Sequence, residues 1–285
     1  MSMFVVNSTY SPSNSTDSPV SAAWQHTKTL SASCIKINFL ILLITILIIS
    51  CVQNTDLHKD AHWSYEGETG PIHWGEIEKN SDCGGLFQSP LNIVNYKVDS
   101  LLTPLKITYS DSTHIHDIIN NGHTIQYNFD SGDYITIEGV TYELKQFHFH
   151  EPAEHLIDGI RYPMVIHLVH KSENGTYAVL AVMAKEGKSS KPFDFLESFL
   201  PIPVGENRIV DSAFDMNLNL PDNRAYFTYS GSLTTPPCTE NVQWFIFKNP
   251  ITVSLSQVEK LKALMPLNNY RDEQSLNDRE IKLSK

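Results

Sequence analysis

Short alternating runs dominate the chain from about residue 105 onward. Apolar and polar positions take turns over 105–109, 124–129, 134–137, 141–150, 164–170, 177–184 and 241–247, the two-residue period of strands that bury one face. The runs are rich in Val, Ile, Thr, Tyr and Phe. Polar turn sequences such as Asn120-Asn121-Gly122, Ser131-Gly132-Asp133 and Glu173-Asn174-Gly175 separate them, as expected for successive strands of a sheet. Helical pattern is scarce. The candidates are 193–199 and 254–263, the second opened by Ser254 with Gln257 three places on, the arrangement of a capping box. The pattern predicts one mostly β domain.

Upstream the composition changes. Residues 1–33 are rich in Ser, Thr and Asn and hold little that could form a core; they read as a disordered segment or an untranslated extension. Lys36 then precedes an apolar run from Phe39 to Ile49, closed by Ser50-Cys51. That run is short of the roughly 20 residues a spanning helix needs and fits the apolar region of a secretory leader. Ile48-Ile49-Ser50-Cys51 also has the form of a bacterial lipoprotein box with Cys51 as the lipidated residue; ordinary cleavage nearby and an uncleaved anchor are its rivals. The domain division is therefore 1–51 as extension and leader, 52–61 as linker and 62–285 as the folded body. Export to a bacterial periplasm, free or membrane-anchored on that side, is the expected location.

Charge and cysteines narrow the partners. Residues 1–51 hold two bases and one acid, so the remainder carries 19 basic and 31 acidic residues, a formal charge of −12. Such a surface argues against nucleic acid as a partner. Beyond the leader the cysteines are Cys83 and Cys238, either one bridge or two buried thiols; a secretory leader favours the bridge. Oligomeric state is open, a dimer included.

One stretch carries chemistry beyond folding. In Gln146-Phe147-His148-Phe149-His150 alternation puts Gln146, His148 and His150 on one face. Same-face neighbours on a strand lie roughly 6.5–7 Å apart at Cα, so two imidazoles can lean onto one ion at about 2.0–2.1 Å. A third histidine, His167, comes from the run Val165-Ile166-His167-Leu168-Val169-His170. If the two strands are neighbours, three neutral nitrogen donors leave a fourth tetrahedral position open, the mark of a catalytic zinc.

The segments around this stretch resemble one family. Tyr65-Glu66-Gly67, Gly70-Pro71, His73-Trp74, Gln88-Ser89-Pro90-Leu91-Asn92-Ile93, Asn120-Asn121-Gly122-His123, Gln146 to His150, Glu154-His155, His167 to His170 and Gly231-Ser232-Leu233-Thr234-Thr235-Pro236-Pro237 occur in the order found in α-class carbonic anhydrases, closest in style to bacterial secreted members. The resemblance spans about 62–285 and implies a large twisted, mainly antiparallel central sheet with a few short helices. It also implies a Zn2+ cofactor and reversible hydration of carbon dioxide to bicarbonate and a proton by a zinc-bound hydroxide. That makes the protein a zinc lyase, with an esterase side activity available to the same site.

The resemblance assigns roles residue by residue. His148, His150 and His167 match the metal ligands. Thr234 matches the residue that orients the hydroxide, with Glu154 as its relay partner. Val169, Val179, Leu233, Thr235, Val242 and Trp244 match the substrate wall. His123 stands where a proton-shuttle histidine is placed, and Tyr65, Asn121 and Gln126 match the residues that order the intervening water. Gln146 and Asn269 match the partners of the first two ligands, and Cys83–Cys238 the bridge of secreted relatives. One position departs: two residues before His167 the family usually has Glu, and this chain has Val165. A non-catalytic binding module on the same fold is the rival from another class. Such relatives usually lack a zinc histidine, and here all three are present.

Overall fold

Sixteen strands realise the alternation in the computed structural model, which describes residues 62–285. The expected leader, linker and Cys51 lie outside the described residues. The first strands are β1 (Asn92–Ile93), β2 (Lys97–Val98), β3 (Lys106–Thr108) and β4 (Thr113–Asn120). They are followed by β5 (Ile125–Phe129), β6 (Tyr134–Ile137), β7 (Val140–His150), β8 (Leu156–Ile157), β9 (Ile160–Arg161) and β10 (Met164–Ser172). The last are β11 (Tyr177–Glu186), β12 (Asn207–Phe214), β13 (Tyr226–Ser232), β14 (Glu240–Phe247), β15 (Ile251–Val253) and β16 (Lys282–Leu283). Three short α-helices accompany them: α1 (Trp74–Ile77), α2 (Lys191–Glu197) and α3 (Leu255–Lys262). The capping box read from Ser254 and Gln257 opens α3, each side chain accepting from the other residue's backbone N–H. Among the described residues no helix is long and apolar enough to cross a membrane.

The thirteen-stranded sheet runs β12-β4-β5-β7-β10-β11-β14-β13-β16-β2, with β3, β6 and β15 paired off this path. Most pairs are antiparallel; β11 is parallel to both β14 and β15, and β16 to β2. Alternation sorts the centre of the sheet into two faces. Phe147, Phe149, Leu168, Leu180 and Phe245 point into one buried cluster, which α2 and α3 cover with Phe193, Leu196, Val258 and Leu261. Val165, Val169, Val179, Tyr229 and Trp244 point into the other. Burying a side chain of this size stabilises by roughly 1.5–3 kcal/mol, and a one-residue slip would send every one to the wrong face. Register at the centre is thus fixed from both sides.

Candidate metal centre and active-site cleft

Register brings the histidines together. β7 and β10 pair antiparallel with His148 directly opposite His167, and β5 sets Gln126 on the other side of His148. His148 Nε2 and His150 Nε2 are 3.1 Å apart. The His167 ring centroid lies 5.4 Å from that of His148 and 4.8 Å from that of His150. One nitrogen from each residue falls within 4.8 Å of the others. His150 Nε2 and His167 Nδ1 both face the same oxygen, Glu154 Oε2, at 3.5 and 3.8 Å. Those are therefore the atoms turned toward the shared space.

Burial favours the neutral form of His148 and His167. The pKa of His148 is held well below the usual imidazole value by burial and then by the charge of His150. That of His167 is lowered by burial and then by its histidine neighbours. Neutral nitrogens are what a zinc ion takes. Two ligands are held from behind: His148 Nδ1 lies 2.9 Å from Gln146 Oε1, and His150 Nδ1 2.5 Å from the Asn269 carbonyl. The Asn269 side chain accepts from the Glu151 amide and donates to the carbonyls of Phe149 and His123, tying the second ligand to the Asn121–His123 turn. The third ligand differs. His167 Nε2 is buried without a hydrogen-bond partner, and Val165, the residue one strand period before it, is an alkyl group with no exposure. A donor set of three convergent imidazoles, with the second ring nitrogen already committed elsewhere in two cases, fits zinc.

Two cavities open on either side of His148. One, of about 200 Å3, is lined by His148, His167, Val169, Val179, Leu233 and Trp244 together with Gln146, Tyr177, Thr234 and Thr235. Its wall follows one row of the sheet: Gln146, Val169, Val179 and Trp244 are successive cross-strand partners on β7, β10, β11 and β14. Val242 is fully buried in the same apolar cluster. Tyr177, absent from the sequence reading, stands two residues before Val179, so the strand period was the available signal. The second cavity, about 110 Å3, is polar and lined by Tyr65, Asn121, His123, Gln126, His148 and His150, with Trp63, Thr124, Gln146 and Thr235.

The loop after β13 roofs the first cavity, and its anchoring explains several motif residues. A Cβ on Gly231 would collide with Ser89 Oγ and lie 3.1 Å from the Trp244 ring, so glycine is required for the approach. Ser232 Oγ accepts from the Ser89 amide, and the Trp244 indole donates to the Ser232 carbonyl. Cys83 and Cys238 form a disulfide that ties the end of the loop to the segment before Gln88. Arg271, which the sequence reading passed over, donates from its guanidinium to Gln88, Ser89 and Cys83 and from its backbone amide to Glu154 Oε1 at 3.0 Å. Glu154 is fully buried. Burial raises its pKa, while His150, the Thr234 hydroxyl and Arg271 oppose the rise. Thr234 acts from a longer approach, since Glu154 Oε2 has no hydrogen-bond partner.

Three convergent imidazoles where the two cavities meet form a site that could hold one metal ion on nitrogen donors. Residues 69–285 match the model of the eukaryotic-type carbonic anhydrase family. A carbonic anhydrase of Klebsiella pneumoniae is 41% identical over 226 residues, covering 78% of this chain and 90% of that protein. The solved α-carbonic anhydrase of Thermovibrio ammonificans, in complex with the inhibitor sulfanilamide, superposes with a TM-score of 0.74 at 39% identity, over 78% of this chain and 99% of its own. That of Photobacterium profundum does so at 0.73 and 40%, over 78% and 100%. The chain belongs to the carbonic anhydrase family. Carbonic anhydrases are zinc enzymes, and membership supports carbon dioxide and bicarbonate as its substrate and product.

Proposed function

We propose that the protein catalyses reversible hydration of carbon dioxide with zinc held by His148, His150 and His167. The observation that carries this is the convergence of one nitrogen from each of the three, all within 4.8 Å of one another. Zinc held there supplies a Lewis acid that brings the pKa of a bound water to about 7, a value for which carbonic anhydrase is itself the reference example.

The chain's own residues then position and exclude. Val169, Val179, Leu233 and Trp244 give carbon dioxide an apolar resting place beside the ligands, with Val242 packed in the same cluster. Thr234 orients the attacking water: its hydroxyl donates toward Glu154, whose ionised form the Arg271 amide favours, and so presents a lone pair to the incoming proton. Such orientation is an entropic advantage set up in advance. Thr235 lines both cavities and lies where bicarbonate leaves. His123 takes the released proton across the polar cavity, where Tyr65, Asn121 and Gln126 order water. Its pKa is lowered by burial and by His62, which helps it give the proton up again. Cys83–Cys238 fits an oxidising compartment, and we place the protein outside the cytosol on that ground.

Stopped-flow hydration of carbon dioxide by the zinc-loaded chain, with metal content measured alongside, tests the reading. His148→Ala should lose stoichiometric zinc and activity together. A zinc-replete protein that does not speed hydration would overturn it.

A further inference from the structure

His123 does not stand alone at the outer end of the polar cavity. Its Nε2 lies 3.0 Å from Nε2 of His62, a residue 61 positions earlier. At that separation one ring donates and the other accepts, a direct imidazole–imidazole hydrogen bond. The ring centroids are 5.2 Å apart at 45°. Trp63 lies flat on His123, 3.7 Å between centroids and 14° between planes, and the Tyr65 ring meets His123 edge-on at 6.1 Å. The Asn121 side chain accepts from the His123 amide and Asn269 donates to its carbonyl. Indole and backbone together fix the orientation of His123 so that one ring nitrogen is committed to His62. His62 is exposed whereas His123 is half-buried.

The pair differs from the other surface histidines. His114 is held between Asp130 and Asp211, and His116 and His73 each face a carboxylate. The two carboxylates beside His114 raise its pKa and so favour its protonated form. Among the described residues neither His62 nor His123 has such a partner, so a proton arriving at this pair has no anion to hold it.

We propose that His62 is the outer half of a two-imidazole proton relay, taking from His123 the proton that leaves the active site and handing it to solvent or buffer. The step balances within the pair. A proton enters at His123 Nδ1 from the cavity, and the Nε2 proton of His123 crosses to His62 Nε2. Exposed His62, now imidazolium, releases its Nδ1 proton to the buffer base. His123 is left neutral as the other tautomer, with the shared proton now on His62 Nε2, and the pair resets when each ring exchanges its tautomer with water, a step that moves no net proton. This inference rests on His123 being the shuttle.

The test measures kcat and KM for carbon dioxide hydration by zinc-loaded full chains in dilute buffer, with oxygen-18 exchange between labelled carbon dioxide and water reporting proton transfer separately. The variants are His62→Ala, His62→Gln and His123→Ala. Glutamine can keep a hydrogen bond to His123 but cannot pass a proton through, so it separates relay from positioning. Both His62 variants should lower kcat about three- to tenfold at unchanged kcat/KM. That is less than the roughly 100-fold or greater effect of removing a positioned acid–base group outright, because buffer can still reach His123. Added imidazole should restore the rate, and in the His123→Ala background the His62 changes should do nothing further. Wild-type kcat in His62→Gln, or in both His62 variants while His123→Ala is slow, would overturn the relay and leave the shuttle standing. Wild-type kcat in His123→Ala would instead remove the shuttle reading and the relay with it.

Discussion

Replacing Val165 by glutamate should slow the release of zinc. Every metal-ligating imidazole carries a second nitrogen, and a hydrogen bond there fixes the tautomer and raises the basicity of the ligating atom. Gln146 does this for His148 and the Asn269 carbonyl for His150, but His167 Nε2 is buried with nothing to bond. Leaving such a group unsatisfied costs about 1–3 kcal/mol. At about 1.4 kcal/mol per tenfold, that is about 5- to 140-fold in the stability of the liganded arrangement. The range overlaps the roughly 10–100-fold attached to losing the outer partner of a metal ligand. Val165 precedes His167 by one strand period and is wholly buried, so a side chain that accepts a hydrogen bond there lies on the right face.

The assay is transfer of zinc to an excess of chelator, followed by absorbance, for wild type, Val165→Glu and Val165→Gln. Glutamine supplies the acceptor without a second buried carboxylate beside Glu154, and so guards against a glutamate variant that folds poorly. Either acceptor should slow release about tenfold or more, and Val165→Leu should not. His155 Nδ1 is also buried without a partner, in a ring 6.1 Å from that of His167. A single water bridging the two nitrogens would satisfy both, and it predicts equal release rates for wild type and both folded acceptor variants. That result would refute the reasoning.

Thr234→Val should keep zinc stoichiometric while kcat/KM for hydration falls on the order of 100-fold, the scale of a misplaced reactant; an unchanged kcat/KM would remove the orienting role. Reducing Cys83–Cys238, or Cys238→Ser, should lower the denaturant midpoint. Cross-linking a loop of 155 residues has a chain-entropy ceiling of about 5 kcal/mol, with about 2–4 typical; identical midpoints with and without reductant would contradict it. His114 donates to two carboxylates, Asp211 and Asp130, which in that order raise its pKa. Its contribution is therefore fully present below the unfolded imidazole value near 6.5 and is lost as pH rises through the higher folded value. His114→Gln should flatten the stability profile in that window, and a profile unchanged by the substitution would show the pair to be inert.

Where sequence and structure part, the causes are local. The strands carrying the ligands were legible because one face is polar and the other apolar, so the period survives in the residue types. β13 is buried on both faces at almost every position and contains Ser230-Gly231, so it alternates in nothing and reads as a turn. β12 is an exposed edge strand whose pairing with β4 slips between Ile209 and Ser212, which breaks the period. β4 carries a slip of its own against β5, between Ile115 and Asp117. The three converging histidines, the buried Glu154 and the disulfide pair could be named from motifs. The partnership of His62 with His123, and the four hydrogen bonds of Arg271, could not: they join segments far apart in sequence, and no spacing encodes them.

The division of labour in the site follows from which parts share a sheet. His148 and His167 are cross-strand partners, and the apolar wall is the adjacent row on the same strands, so the histidine row and the apolar row hold a fixed position relative to each other. No loop needs to close to assemble them. Thr234 and Thr235 stand outside that lattice, on a loop held by Gly231 against Ser89, by Arg271 through Gln88 and by the Cys83–Cys238 bridge. The orienting role proposed for Thr234 is therefore one that can be lost separately from metal binding. Loosening the roof should leave zinc content intact and lower kcat/KM, whereas damage at β7 or β10 should remove both together.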